Sequence, residues 1–287
     1  DSAETDPFKR FERGIPPKTK GDMAFLLHMI ESVRERRGMA GVVLPHGVLF
    51  RGGSEAKIRE SLLKDDLIEA IIGLPAALFF GTGIPAALVI CNWNKAPERK
   101  GRVLIVDAST EGLYREGKSR NFLDPIDVLR IAAIFHGWAD PGRTVDAVES
   151  IATTWTAALA RHRDRQIERA GGPASELAPR IHEDFDTRLA EIERASAALR
   201  DWFGATHPAP GGGTRTSLEK HAAVVAVKEV LKEHKGNLNI TRHVDAMDPP
   251  PRLDVVAELA KLRELEQQRD EAERKMNELL KEFGYEG

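Results

Sequence analysis

The sequence predicts an α/β unit followed by a helical region. Three observations carry this. Over residues 1–110, continuous apolar runs alternate with segments of helical periodicity, the pattern of an α/β sheet with buried parallel strands, as in part of a doubly wound domain. From about Thr144 the composition shifts to Ala, Arg and Glu, with apolar residues at helical spacing. Near the end, a heptad pattern runs from Leu253 to about Phe283.

The residues up to Gly21 read as loop, with Pro16 and Pro17 followed by Lys18 and Lys20. From Asp22, a fair N-cap, Phe25, Leu26, Met29, Ile30 and Val33 recur at helical spacing; Arg36, Arg37 and Gly38 make a fitting C-terminus. Met39 to Leu44 (MAGVVL), closed by Pro45, suits a strand buried on both faces. Ser54 opens a second helix, to about Lys64. Two more strand-like runs, Leu67 to Gly73 and Ala86 to Asn92, are joined by the loop PAALFFGTGIP, and Arg102 to Asp107 is a fourth. No glycine-rich strand–turn–helix of a nucleotide-binding fold is present.

Val148, Ile151, Ala152, Trp155, Leu159 and His162 share one helical face, and Phe185, Leu189, Ile192, Leu199 and Trp202 another; Gly171, Gly172 and Pro173 separate the two, so a helical hairpin is expected. His207 to Thr216 (HPAPGGGTRT) reads as a flexible linker. In the last element Val255, Leu259, Leu262, Met276, Leu280 and Phe283 keep heptad spacing, with Glu266, Arg269 and Glu273 on the same stripe and Asp270–Arg274 and Glu271–Lys275 as supporting pairs. A helix of about 31 residues would reach roughly 45 Å, long enough to suggest a partner outside the chain's own core.

Composition narrows the functional classes. Hydrophobic residues at 41% and charged ones at 30% exclude a disordered chain, and no apolar run approaches a membrane span or signal peptide, so a cytoplasmic protein is expected. With Lys plus Arg at 42 against 45 Asp plus Glu, any nucleic-acid contact must be local or come through a partner subunit. The single cysteine, Cys91, rules out an internal disulfide framework and a Cys-cluster zinc site, and it reads as a small buried apolar residue. The nine histidines are scattered, with no HExxH and no carboxylate partner at metal-ligand spacing, so no metal is expected. Gly52-Gly53-Ser54-Glu55-Ala56 approximates a nucleophile elbow but reads as a helix N-cap, and the glycines at 81, 83 and 211–213 lack the lysine of a phosphate loop.

The words of the sequence go further. GIPPKTKGDMAFLLHMIESV, GMAGVVLPHGVLFRGGSEAKIRESLLKDDLIEAIIGLPAALFFGTGIPAALVICN, VLIVDAS and later GNLNITRHVD together resemble the modification subunit of type I restriction-modification systems, a family of adenine-N6 DNA methyltransferases that use S-adenosylmethionine. The resemblance is dense over residues 14–135 and looser over 221–285. It implies that residues 1–137 are the C-terminal half of a Rossmann-like methyltransferase domain, 138–218 a helical hairpin insertion and linker, and 219–287 a helical docking region.

By this resemblance the loop Phe79-Phe80-Gly81-Thr82-Gly83 lies against the target adenine, with Phe80 favoured as the stacking ring; packing of both rings under the sheet is the alternative. Pro45, His46 and Gly47 are expected on the substrate-cleft wall, although turn formation explains them equally well. Lys18, Lys20 and Arg51 are candidate DNA phosphate contacts or merely solvated cations. The family's glycine-rich cofactor motif and its Asn-Pro-Pro-aromatic catalytic motif both precede the GIPPK block and are absent here, so no catalytic residue is assigned and S-adenosylmethionine would be bound mainly outside these residues. Asp6-Pro7-Phe8 has one proline, and Asp248-Pro249-Pro250-Pro251 lacks the aromatic; both read as loops. Implied partners are DNA, a specificity subunit held by the terminal helix, and a restriction subunit in some complexes, with no membrane. Two alternatives remain: a non-catalytic scaffold that docks a specificity subunit, and a solitary methyltransferase reading DNA through its own helices.

Overall fold

A computed structural model describes residues 3–33, 37–140, 143–247 and 255–283. It divides into two compact units, Asp1–Met247 and Asp248–Gly287. The first is built on a five-stranded sheet in the order β1-β3-β2-β4-β7. Its strands are β1 (Met39–Pro45), β2 (Ile68–Gly73), β3 (Ala86–Asn92), β4 (Arg102–Asp107) and β7 (Ala222–Ala226), while β5 (Thr206–Pro208) and β6 (Thr214–Thr216) form a separate hairpin.

The sheet is mixed, which corrects the expectation of parallel strands. Only β2 and β4 pair in parallel; β1–β3, β2–β3 and β4–β7 are antiparallel. The cause lies in the connections. β2 returns as β3 through the loop 74–85 with no helix, and a strand that re-enters beside its predecessor without a crossover must run antiparallel. Continuous apolar runs identify strands covered on both faces, not their direction.

Both faces are indeed covered. Ile71, Val89, Val103 and Ile105 point into one apolar cluster with Leu26, Leu27 and Ile30 of α1 (Asp22–Ser32) and Ile58, Leu62 and Leu63 of α2 (Ser54–Lys64). Ala70, Ile72, Ile90, Leu104 and Val106 point into the other, with Leu129 and Ala133 of α3 (Pro125–Gly137), Val148 and Ala152 of α4 (Arg143–Arg169), and Ile192 and Leu199 of α5 (Ala178–Gly204). Alternate residues of one strand feeding opposite clusters is the pleat at work.

Local expectations shift in four places. Asp22 is the first helical residue of α1, capped by Gly21 without a side-chain bond, and the buried stripe is Met23, Leu26, Leu27 and Ile30, leaving Phe25 and Met29 exposed. The helix ends at Ser32, and Arg36 lies outside the described residues. Ser54 likewise begins α2 rather than capping it; the cap is Gly53 at φ +68°, a value glycine adopts without strain. The stretch 207–216 is β-hairpin rather than free linker, with Gly212 and Gly213 supplying the left-handed turn. The short helices α6 (Ser217–His221), α7 (Val227–Lys232) and α8 (Ile240–His243) then surround β7.

The second unit contains α9 (Val255–Glu282), 28 residues long, about 42 Å at 1.5 Å per residue. Leu259, Leu262, Leu265, Met276, Leu279, Leu280 and Phe283 are all exposed. Asp270 is paired with Arg269 at 2.7 Å. Among the described residues, no helix is long and apolar enough to cross a membrane.

Candidate functional site

The strand registers place five chain segments at one edge of the sheet. Pro45 ends β1 opposite Ala86, the start of β3; Gly73 ends β2 opposite both Ala87 and Asp107, the end of β4; and Val106 faces Ala222, the start of β7. Open α/β sheets bind ligands at the carboxyl ends of their parallel strands, here β2 and β4.

The loop 74–85 is anchored at this edge. Its exit is a three-way junction, because the Leu74 N–H and His46 Nε2 both donate to the Ala86 carbonyl, at 2.8 and 2.9 Å. That bond fixes the Nε2-protonated form of His46 and ties the Pro45-His46-Gly47 turn to both ends of the loop. Asn121 holds the loop's first half, its N–H donating to the Ala77 carbonyl at 2.8 Å and its Nδ2 to the Ala76 carbonyl at 2.9 Å. Within the tip, Thr82 Oγ1 accepts from the Ile84 N–H at 3.2 Å, and Gly81 takes φ +76°.

Thus anchored, the loop presents its aromatics outward. Phe80 is 82% exposed and Phe79 40%, so neither ring packs under the sheet. Loops positioned by a rigid scaffold are where ligands are commonly met. Gly81 and Gly83 have open space around them, so no bulk closes the tip.

A second loop, after β4, meets the first. Arg115 and Phe122 exchange both backbone hydrogen bonds at 2.9 Å, closing a tight turn in which a Cβ on Gly117 would strike the Arg120 carbonyl and the Phe122 ring. The turn delivers a pile of alternating rings and cations. Arg120 Cζ sits 4.1 Å from the Phe80 centroid and 4.5 Å from that of Phe122, and Arg115 Cζ sits 4.4 Å from Phe122. Each is well inside cation–π range. Arg115 is pinned by Asp124 at 2.8 and 3.1 Å, and Asp124 opens α3, where its N–H donates to the Asp127 carboxylate at 2.9 Å.

The remaining predicted residues have different surroundings. Arg51 lies against Gly47, whose missing side chain leaves it room, and it is held by Asp22 at 3.3 Å and Glu55 at 3.4 Å. Lys18 and Lys20 are exposed on the segment leading into α1. Asp6 accepts from Arg10, whose guanidinium holds the carboxyl down at about 2, and Phe8 beside it is exposed, so Asp6-Pro7-Phe8 is a closed local turn. Residues 248–251 lie outside the described residues. One correction concerns the histidines: α7 and the residues after it bring Glu229, Glu233 and His234 close enough to share an ion. Two of these are exposed carboxylates of a kind common on helix surfaces, and they carry no metal assignment. The described residues do not fit an S-adenosylmethionine cradle either, for among them no strand runs directly into a glycine-rich turn and helix. Sequence reading missed Arg120, Asn121 and Phe122; the signal was the basic and aromatic run KSRNF after β4.

The chain is similar over 128 residues, at 40% identity, to the type I restriction enzyme MjaVII methylase subunit of Methanocaldococcus jannaschii, covering 44% of this chain and 22% of that one. The HindI methylase subunit of Haemophilus influenzae is 33% identical over 138 residues, 48% of this chain and 30% of the relative. The chain therefore spans less than a third of the curated relatives it matches. Among solved structures, a type I restriction-modification system methyltransferase subunit from Streptococcus thermophilus is similar at TM-score 0.48 and 26% identity, covering 85% of this chain and 36% of that one. The family model for N-6 DNA methylases matches residues 1–160, more than half of the chain, and the chain belongs to that family.

Proposed function

We propose that this chain supplies the target-base wall of a type I adenine-N6 DNA methyltransferase, in a complex with a specificity subunit and DNA. The observation that carries the reading is Phe80, an exposed ring on a loop fixed from both sides at the ligand-binding edge of the sheet. Methylation of a base requires it to leave the duplex, and an extruded base is held by stacking. Phe80 would offer that surface, while Pro45, His46 and Gly47 hold the loop's exit in place. Lys18 and Lys20 would contact phosphate nearby, whereas Arg51 braces the turn through Asp22 and Glu55. S-adenosylmethionine supplies the methyl group, and its binding and the deprotonation of the amino nitrogen are assigned to no residue here. The exposed heptad stripe of α9 suits helix packing against the specificity subunit.

The test is methyl transfer by the complete modification and specificity subunits. Phe80→Ala should lower kcat/KM by roughly tenfold or more, since base stacking is worth about 1 to 3 kcal/mol. Activity and thermal midpoint both unchanged would remove Phe80 from the site. The scaffold alternative draws on the same α9 stripe and on the missing cofactor motif; association with the specificity subunit that leaves methylation indifferent to Phe80 would favour it.

A further inference from the structure

Among the described residues, Arg120 is an arginine whose charge meets no carboxylate. Arg115 has Asp124, Arg51 has Asp22 and Glu55, and Arg99 has Glu69 at 2.8 Å. Arg120 makes no ion pair or side-chain hydrogen bond among the described residues, and its Cζ lies over two rings, 4.1 Å from the Phe80 centroid and 4.5 Å from that of Phe122.

The geometry points to a phosphate-binding role: we propose that Arg120 grips a phosphodiester of the DNA strand whose base stacks on the free face of Phe80. With its Cζ over both rings, Arg120 spends none of its N–H donors on a protein acceptor among the described residues, and the planar fork is left for a ligand. That is the arrangement in which arginine binds a planar pair of oxygens bidentately. The two ring contacts also restrain the long side chain before any ligand comes, removing part of the ordering cost of binding. Because Arg120 covers one face of Phe80, the base has only the opposite face. A nucleotide would thus extend the pile by one layer, while the edge of the arginine meets its backbone. Gly117 is what lets the turn close tightly enough to place Arg120 there. Asn121, next in sequence, ties the same turn to the Phe80 loop at Ala76 and Ala77, so base platform and phosphate grip move as one body.

This inference rests on the reading of Phe80 as a base platform, and the experiment separates the two. The full chain is titrated with a short single-stranded DNA oligonucleotide carrying one 2-aminopurine in place of adenine, across a range of salt concentrations. Stacking on Phe80 is read as fluorescence quenching, and phosphate contact as the slope of log affinity against log salt. Arg120→Ala should weaken binding by roughly tenfold and lower the salt slope by about 0.7, with quenching at saturation retained. Arg120→Lys should restore the slope but not the full affinity, because the charge returns without the planar fork. Arg120→Gln, which keeps most of the side chain's bulk, reads the same slope should the alanine variant not fold. Wild-type affinity and slope in the Arg120 variants, alongside quenching lost in Phe80→Ala, would overturn the inference and leave the base platform standing. Absence of quenching by the unsubstituted chain, or quenching that survives Phe80→Ala, would overturn both.

Discussion

His221 closes α6 beside Asp107, buried, with its Nδ1 lacking a hydrogen-bond partner. Burial, with Lys220 adding repulsion, pushes the imidazole down to about 4 from an ordinary 6.5, against the pull of Asp107. The folded chain therefore keeps this ring neutral over a range where the unfolded chain protonates it. Between pH 6.5 and 4 the unfolded state binds the extra proton, so stability falls as pH falls, by on the order of 2 kcal/mol across the window. His221→Asn should flatten the drop in thermal midpoint between those pH values. His243, lowered in the same direction by burial, leaves a residual slope. A variant as acid-sensitive as the parent would place the sensitivity elsewhere. Cys91, in mid-β3, shows the same physics with the opposite sign, burial pushing its thiol up to about 12. It is a packing residue, and no thiolate chemistry attaches to it at neutral pH.

The junction of α3 and α4 depends on one missing side chain. A Cβ on Gly137 would lie 2.5 Å from the Thr144 Cα, a backbone atom that cannot swing away. Gly137→Ala should therefore part the helices and cost roughly 1 to 3 kcal/mol, seen as a lower thermal midpoint. An unchanged midpoint would mean that the helices slide apart freely. The elements themselves were largely legible in the sequence, because strands covered on two faces and amphipathic helices write different periods. What was not legible came from partners distant along the chain. Ala222–Ala226 is a strand because β4 offers it an edge, and its five small residues carry no period of their own. The glycines of 211–213 look alike in a linker and in a hairpin turn, and only pairing of Thr206 with Thr216 decides between them. The Phe79–Gly83 loop could be singled out from its own residues, whereas the pile of Phe80, Arg120 and Phe122 joins residues forty positions apart and exists only once the two loops meet.

At the scale of the molecule, the two faces of the sheet are well covered and its flank is not. β1 pairs with β3 on one side and with no strand among the described residues on the other. Met39 and Val43 on that strand are exposed, as are Phe25 and Met29 on α1 and Phe50. A row of main-chain N–H and C=O groups without a ladder, set beside apolar side chains, is a template on which any extended segment can be laid. In isolation the chain should self-associate as its concentration rises, with sedimentation showing dimers or larger species. Val43→Lys, a charge on the open strand, should return it to monomer. A sedimentation coefficient independent of concentration in the unsubstituted chain would show the flank to be inert. The consequence reaches into handling and design: on this expectation the same flank is a seam to be capped, where an added strand would raise solubility and stability together.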